Sequence, residues 1–261
     1  MQLDLDPRLA ENYTSRSQVA KVLTETWARD QLYCPACPSE TVEPTPSGTA
    51  VIDFRCPDCE EPFQLKSQSR PFHSRVNDSA YGTMIHSVEA ATAPSFCFLH
   101  YDSSRWRVRN LFFVPRHFLS ASAIEKRPPL RPGARREGWV GCNILLSALP
   151  ADARVYAVQE ETSLPPEDVR EAWRAFSFLR QADPESRGWM VDVLACVREI
   201  RKDEFTLAEF YRFEGRLGRM HLDNRNVRPK IRQQLQVLRD HGVIEFLGRG
   251  KYKTLLQRQW L

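Results

Sequence analysis

Apolar residues first recur at helical spacing between residues 15 and 30, where Val19, Val22, Leu23 and Trp27 share one stripe and predict an amphipathic helix. Short runs rich in β-branched and aromatic residues follow. They cover residues 50–54, 62–66, 95–101, 108–114 and 154–158, and each reads as a buried strand. Residues 78–91 read as helix between the second and third runs, and the Pro/Arg-rich stretch 127–132 reads as a surface loop. Helix, strands, helix, strands defines an α/β (α+β) first domain.

The pattern changes after a helix expected over 166–181. Residues 182–188, Ala-Asp-Pro-Glu-Ser-Arg-Gly, form a polar junction suited to a boundary, which divides the chain into domains 1–182 and 183–261. Beyond it, 189–200 is helical, and Thr206-Leu207-Ala208-Glu209 is a capping box opening a helix with Phe210, Phe213 and Leu217 inward. A third helix over 229–241 places Ile231, Leu235 and Leu238 on one face and stops at Gly242. Residues 243–247 then read as a strand that turns through Gly248-Arg249-Gly250 into Lys251-Tyr252-Lys253. Three helices and a basic hairpin make a winged helix-turn-helix.

The chain has 261 residues and a net charge of +4, 42% hydrophobic and 27% charged, which is ordinary globular composition. The charge is unevenly spread: residues 183–261 carry 16 basic and 11 acidic side chains. Between 225 and 253 the balance is 8 to 2, as expected of a module that meets phosphate. On the third helix Gln233 and Gln236, flanked by Lys230 and Arg232, suit base edges and phosphates in a major groove, and Arg249 and Lys251 sit at the tip of the wing. A winged helix used for protein contacts is the alternative. No apolar stretch is long enough for a membrane span and the acidic start is unlike a signal peptide, so a cytoplasmic location is expected.

Seven cysteines are an odd count for a disulfide framework. Four of them form two CxxC knuckles, Cys34/Cys37 and Cys56/Cys59, separated by 18 residues, the spacing of a structural zinc site. Four thiolates leave no open coordination position, so the metal organises the fold. Cys97, Cys142 and Cys196 lie in apolar surroundings and read as inert core residues.

Asp53 ends one expected strand just before the second knuckle, and Gln64-Leu65-Lys66 lies in the strand just after it. Side chains two apart in a strand share a face, so Gln64 and Lys66 point together and Asp53 joins them across the hairpin. An Asp followed about ten residues later by (Asp/Glu/Gln)-x-Lys is the pattern of the PD-(D/E)xK nucleases. There, oxygen ligands hold Mg²⁺ on a phosphate and the lysine activates a water. An exposed strand face with satisfied polar residues is the alternative.

These motifs, together with Ser17-Gln18, Leu23-Thr24-Glu25, Asn77-Asp78, Ala134-Arg135-Arg136, Gly138-Trp139, Gly141-Cys142-Asn143-Ile144, Lys230-Ile231-Arg232-Gln233-Gln234-Leu235 and Gly248-Arg249-Gly250-Lys251-Tyr252, resemble the DpnI-like family of methyl-directed restriction endonucleases over most of the chain. The resemblance implies a PD-(D/E)xK nuclease core with an embedded four-cysteine zinc site and a C-terminal winged helix-turn-helix domain. It also implies a monomer that hydrolyses double-stranded DNA at N6-methyladenine-containing GATC sites with Mg²⁺. Asp53 and Gln64, with the carbonyl of Leu65, would hold the Mg²⁺, and Lys66 would activate water. Family members are expected to carry Glu where this chain has Gln64, so metal affinity should be weaker unless Glu60 or Glu61 reaches the site. A non-cutting reader of methylated DNA is the rival, and a zinc-ribbon transcriptional regulator a second one.

A methylated adenine N6 has lost the hydrogen that a bidentate Gln or Asn contact uses, so its reader must offer apolar surface. Trp139, flanked by Arg135 and Arg136, is the first candidate, with a core role the alternative; Trp189 is expected to pack. Asn77 and Asp78 either approach DNA or cap the helix expected after them.

Overall fold

The computed structural model describes residues 1–46 and 51–255. Helix α1 (Arg16–Gln31) leads into the two-residue strands β1 (Glu43–Pro44) and β2 (Phe54–Arg55), then β3 (Pro62–Gln68), β4 (Arg75–Ala80) and helix α2 (Tyr81–Glu89). The long strands β5 (Ser95–Asp102) and β6 (Arg107–Val114) come next, followed by β7 (Ile124–Lys126), β8 (Gly141–Leu145), β9 (Val155–Gln159) and β10 (Thr162–Ser163). Helix α3 (Pro166–Arg174) completes the first part and helix α4 (Pro184–Ile200) opens the second. The remainder is strand β11 (Glu204–Thr206), helices α5 (Leu207–Phe210), α6 (Glu214–Met220) and α7 (Val227–Asp240), and the hairpin β12 (Ile244–Gly248) and β13 (Lys251–Thr254).

Strands order as β1-β2-β3-β5-β6-β9-β10 in the main sheet, where β3 and β5 run parallel and the other neighbours antiparallel. A parallel pair needs a crossover, and β4 with α2 supplies it. Strand β5 is buried along almost its whole length because both of its faces are covered. Phe96 and Phe98 stack towards Phe72 and Phe112 on one face, while Cys97, Leu99 and Tyr101 face the side on which Trp27 of α1 and Trp173 of α3 pack. Strands β4-β8-β7 form a second sheet, and β11-β13-β12 a third.

The expected helix over 78–91 begins only at Tyr81. Residues 75–78 alternate exposed and buried and pair with β8, so tertiary pairing places Asp78 in a strand rather than at a helix cap. The strand expected over 50–54 reduces to Phe54–Arg55, with Ala50 outside the described residues. Asp53 is still held in line, its N–H donating to the Phe63 carbonyl at 2.9 Å and its carbonyl accepting from Thr45 N–H at 3.0 Å. The helix expected over 166–181 stops at Arg174 and resumes as a single 3-10 segment, Ser177–Gln181.

Residues 184–188 are not a free linker but the first turn of α4, with the Asp183 carboxylate accepting from Ser186 N–H at 2.9 Å. From Arg187 to Leu194 every residue of α4 is buried. Its Trp189, Val193 and Val197 share one hydrophobic cluster with Phe96, Phe98 and Phe112 of the main sheet and with Phe210, Ile231, Leu235 and Leu238 beyond it. The buried Asp192 carboxylate accepts from Ser122 Oγ and is bonded to His221 Nε2, both at 2.8 Å, while the His221 ring stacks on Trp189.

The C-terminal part is a helix-turn-helix with a three-stranded wing. The Thr206/Glu209 capping box is present and opens the short α5. The single helix expected after it is three pieces, α5, a 3-10 turn at Tyr211–Phe213 and α6, although Phe210, Phe213 and Leu217 are all buried as their spacing requires. Gly248, Arg249 and Gly250 all have positive φ, which closes the wing's turn. Strand β11, which pairs with β13, carried too few residues for its pattern to mark it. No described helix is long and apolar enough to cross a membrane.

Candidate metal centres and nucleic-acid face

The two knuckles come together. The Sγ atoms of Cys34, Cys37, Cys56 and Cys59 all lie within 4.8 Å of one another, with Cys34–Cys59 at 3.6 Å and Cys37–Cys56 at 3.5 Å. Sulfurs at the corners of a tetrahedron around zinc sit about 3.8 Å apart, so the four thiols fit that ion. Ala36 N–H points at Cys34 Sγ and Cys59 N–H at Cys56 Sγ, at 3.4 and 3.5 Å, orienting the sulfurs with backbone donors. Arg170 of α3 clamps the first knuckle by donating to the carbonyls of Cys34, Pro38 and Ser39. Cys97, Cys142 and Cys196 are buried apart from this group. Burial pushes the thiols of Cys142 and Cys196 up to about 11, so they stay protonated and unreactive.

The second group surrounds β3. Because β2 ends at the Phe54–Phe63 pair, the Asp53 side chain meets the β3 edge, and its Oδ2 accepts from Leu65 N–H at 2.8 Å. Leu65 lies between Gln64 and Lys66, so the three residues expected to act together are neighbours along this edge. Gln64 Oε1 is buried with no hydrogen-bond partner among the described residues, which leaves a hard oxygen acceptor unsatisfied. An amide oxygen is a donor type that suits a hard divalent cation such as Mg²⁺, as a carboxylate does. Lys66 Nζ forms an ion pair with Asp78, whose side chain is fully buried, and lies over the Phe96 ring. Asp78 is therefore neither a helix cap nor a DNA-facing residue in this arrangement, and Ser79 Oγ supports its second oxygen. Asn77, opposite Asn143 in the β4–β8 pairing, is exposed.

Two neighbours of this site escaped the sequence reading. Asp78 came to it through β4, and Glu25 comes to it through α1. Thr24 Oγ1 lies 3.0 Å from Ser67 Oγ and fixes α1 on β3, and Glu25 lines the same cleft as Leu65, Lys66 and Ser67. Burial raises the Glu25 carboxyl, Lys21 opposes the rise, and the charge of Asp53 adds to it. Glu61, expected as a possible substitute for the missing charge at Gln64, is instead occupied elsewhere. It is almost fully buried, accepts from Ser95 Oγ at 2.7 Å and pairs with Arg180 and Arg116. Glu60 is exposed in the knuckle's tight turn, with φ of 59°.

In the C-terminal part, Ile231, Leu235 and Leu238 are fully buried and leave Arg232, Gln233 and Gln236 exposed on α7, with Lys230 half-buried. Tyr211 Oη accepts from Arg232 at 2.9 Å and steadies that guanidinium at the surface. Arg249 and Lys251 are exposed at the wing. Trp139 is half-buried and belongs to neither core cluster. Its indole lies against Gly141, where an added Cβ would come within 2.7 Å of the ring, and the Arg136 guanidinium sits 4.5 Å from the ring centroid. Arg135 is exposed beside it.

A mixed α/β body with a four-cysteine centre and an appended helix-turn-helix is the architecture of a DNA-binding protein. Residues 1–182 match the Dam-replacing (DpnI) family and residues 185–254 the Dam-replacing helix-turn-helix domain, so the chain belongs to that family.

Proposed function

We propose that the protein is a methyl-directed restriction endonuclease that hydrolyses phosphodiester bonds of double-stranded DNA at N6-methyladenine-containing GATC sites. The observation that carries this reading is the buried Gln64 Oε1, unpartnered among the described residues, one residue before the Leu65 N–H that donates to the Asp53 carboxylate and two before Lys66. Asp53, Gln64 and the Leu65 carbonyl would hold Mg²⁺, which when bound polarises the scissile phosphate and favours ionisation of water. Asp53 supplies the charge and Gln64 a neutral oxygen. Asp78 fixes the Lys66 ammonium in place, and from there Lys66 orients the attacking water by donating to it. The PD-(D/E)xK architecture belongs to this reading, as does structural Zn²⁺ on Cys34, Cys37, Cys56 and Cys59, and the two domains are taken as 1–182 and 183–261.

Recognition is assigned to two surfaces. Gln233 and Gln236 enter a major groove, with Lys230, Arg232, Arg249 and Lys251 on phosphates. Trp139 offers its indole to the methyl group while Arg135 and Arg136 meet the backbone. A reader that binds methylated DNA without cutting is the second reading, favoured by the neutral Gln64 alone.

The test is incubation of methylated and unmethylated copies of one GATC-containing plasmid with the protein, with and without Mg²⁺. Cutting confined to the methylated plasmid and the Mg²⁺ arm, and lost in Asp53→Ala, is expected. Methylation-dependent binding with no cutting, restored to cutting by Gln64→Glu, would establish the reader instead.

A further inference from the structure

Away from both metal centres, four basic side chains converge on a small cavity at the foot of α4. Arg116 and His117 come from the turn after β6, Arg180 from the 3-10 segment after α3, and Arg187 from the first turn of α4. The cavity measures about 80 Å³, enough for several water-sized groups and so for one small oxyanion.

The charges there do not balance. Glu61 meets Arg180 at 3.0 Å and Arg116 at 3.3 Å, so one carboxylate serves two guanidinium groups. Among the described residues Arg187 forms no ion pair, and only the charge of Asp183 reaches it from farther off: one Nη donates to the Val88 carbonyl at 3.3 Å, and its Nε is buried with no hydrogen-bond partner among those residues. His117 Nε2 is likewise buried and unpartnered. These two residues are only 6% and 2% exposed, so water reaches them poorly from outside. Burial first, then the charges of Arg180, Arg187 and Arg116, push the His117 ring down to about 3, so the imidazole is neutral. Burying a guanidinium without a counter-charge is costly, and an anion that meets it offsets that cost. Guanidinium forks match the oxygens of a tetrahedral oxyanion, and a neutral imidazole N–H adds a donor.

We infer that Arg116, His117, Arg180 and Arg187 form a binding site for a phosphate-type oxyanion, between the end of α2, the turn after β6 and the start of α4. The ligand is either a free phosphate ion or a phosphate of the DNA backbone. The site stands whether or not the chain cleaves DNA.

The experiment titrates inorganic phosphate into the zinc-loaded full chain, with ionic strength held constant by chloride, and follows both the Tm and the NMR signals of histidines labelled in their rings. A saturable rise in Tm is expected, of roughly 5 °C at a hundredfold excess over the dissociation constant, with the His117 signal moving in step. Arg187→Gln should abolish both changes. Arg180→Gln alters a 40% exposed side chain and keeps the test valid if the first variant fails to fold; it should weaken phosphate binding roughly tenfold. A His117 signal that phosphate leaves unmoved, or a Tm rise undiminished in Arg180→Gln, would overturn the site. Duplex DNA in place of phosphate identifies the source. Movement of the His117 signal by DNA assigns a backbone phosphate, and movement by phosphate alone assigns a free ion.

Discussion

At the scale of single residues, the candidate cutting site is short of charge. Gln64 contributes an oxygen but no negative charge, and cation affinity in oxygen sites rises with the number of charged ligands. Gln64→Glu is therefore expected to lower the Mg²⁺ concentration for half-maximal cutting by roughly tenfold, measured by metal titration of plasmid cleavage. Glu25 faces the same cleft and shares its field with Asp53. Glu25→Gln should raise the Mg²⁺ requirement, and the Gln64→Glu/Glu25→Gln pair should recover most of that loss; an unchanged metal titration in Glu25→Gln would remove Glu25 from the site. The approach of Asp53 to the Leu65 N–H was legible because Asp53 sits just before β2, which one short knuckle joins to β3, a local arrangement that spacing encodes. Glu25 and Asp78 were not, since one reaches β3 through helix packing and the other through the β4–β8 pairing, and neither contact leaves a mark in the nearby sequence.

At the scale of elements, the cysteine knuckle and the capping box carry separate consequences. The knuckle was readable from cysteine spacing alone, but its attachment to α3 through Arg170 was not, because 131 or more residues separate the partners. Cys34→Ser should abolish stoichiometric zinc and lower the unfolding temperature, checked by metal analysis and calorimetry on the same sample. Retention of one zinc per chain would count against the four-thiolate site. At the start of α5, the Lys202 ammonium and then the Thr206 N–H hold the Glu209 carboxyl down at about 2. A group depressed in the folded state stabilises above its unfolded value of about 4.3 and loses that contribution as pH falls towards 2. The urea midpoint of Glu209→Gln should thus lie below that of the parent chain at pH 6, and the gap should close between pH 4.5 and 2. Thr206→Ala removes the other half of the box and should cost about 1 kcal/mol.

At the scale of the whole molecule, the family matches divide the chain near residue 184, while its packing does not. Composition marked the junction as polar and Pro/Gly-bearing, yet Arg187 and Gly188 are buried, and so is every residue of α4 from there to Leu194. The neighbours of this helix come from both halves: the 3-10 turns after β6 and after α3 on one side, α5 and α7 on the other. Trp189 sits at this seam, fully buried and stacked on His221, with Asp192 tying Ser122 to His221 around it. The two halves should accordingly unfold together, as one calorimetric transition whose van't Hoff and calorimetric enthalpies agree. Trp189→Ala should destabilise that single transition by roughly 3–5 kcal/mol, because the loss of an indole leaves a cavity shared by both sides. Two resolved transitions, with only the later one shifted by Trp189→Ala, would mean that the seam transmits nothing. In that case a DNA contact on α7 could influence the Asp53 edge only through the shared DNA. One transition makes the orientation of the helix-turn-helix over the main sheet a property of the fold itself.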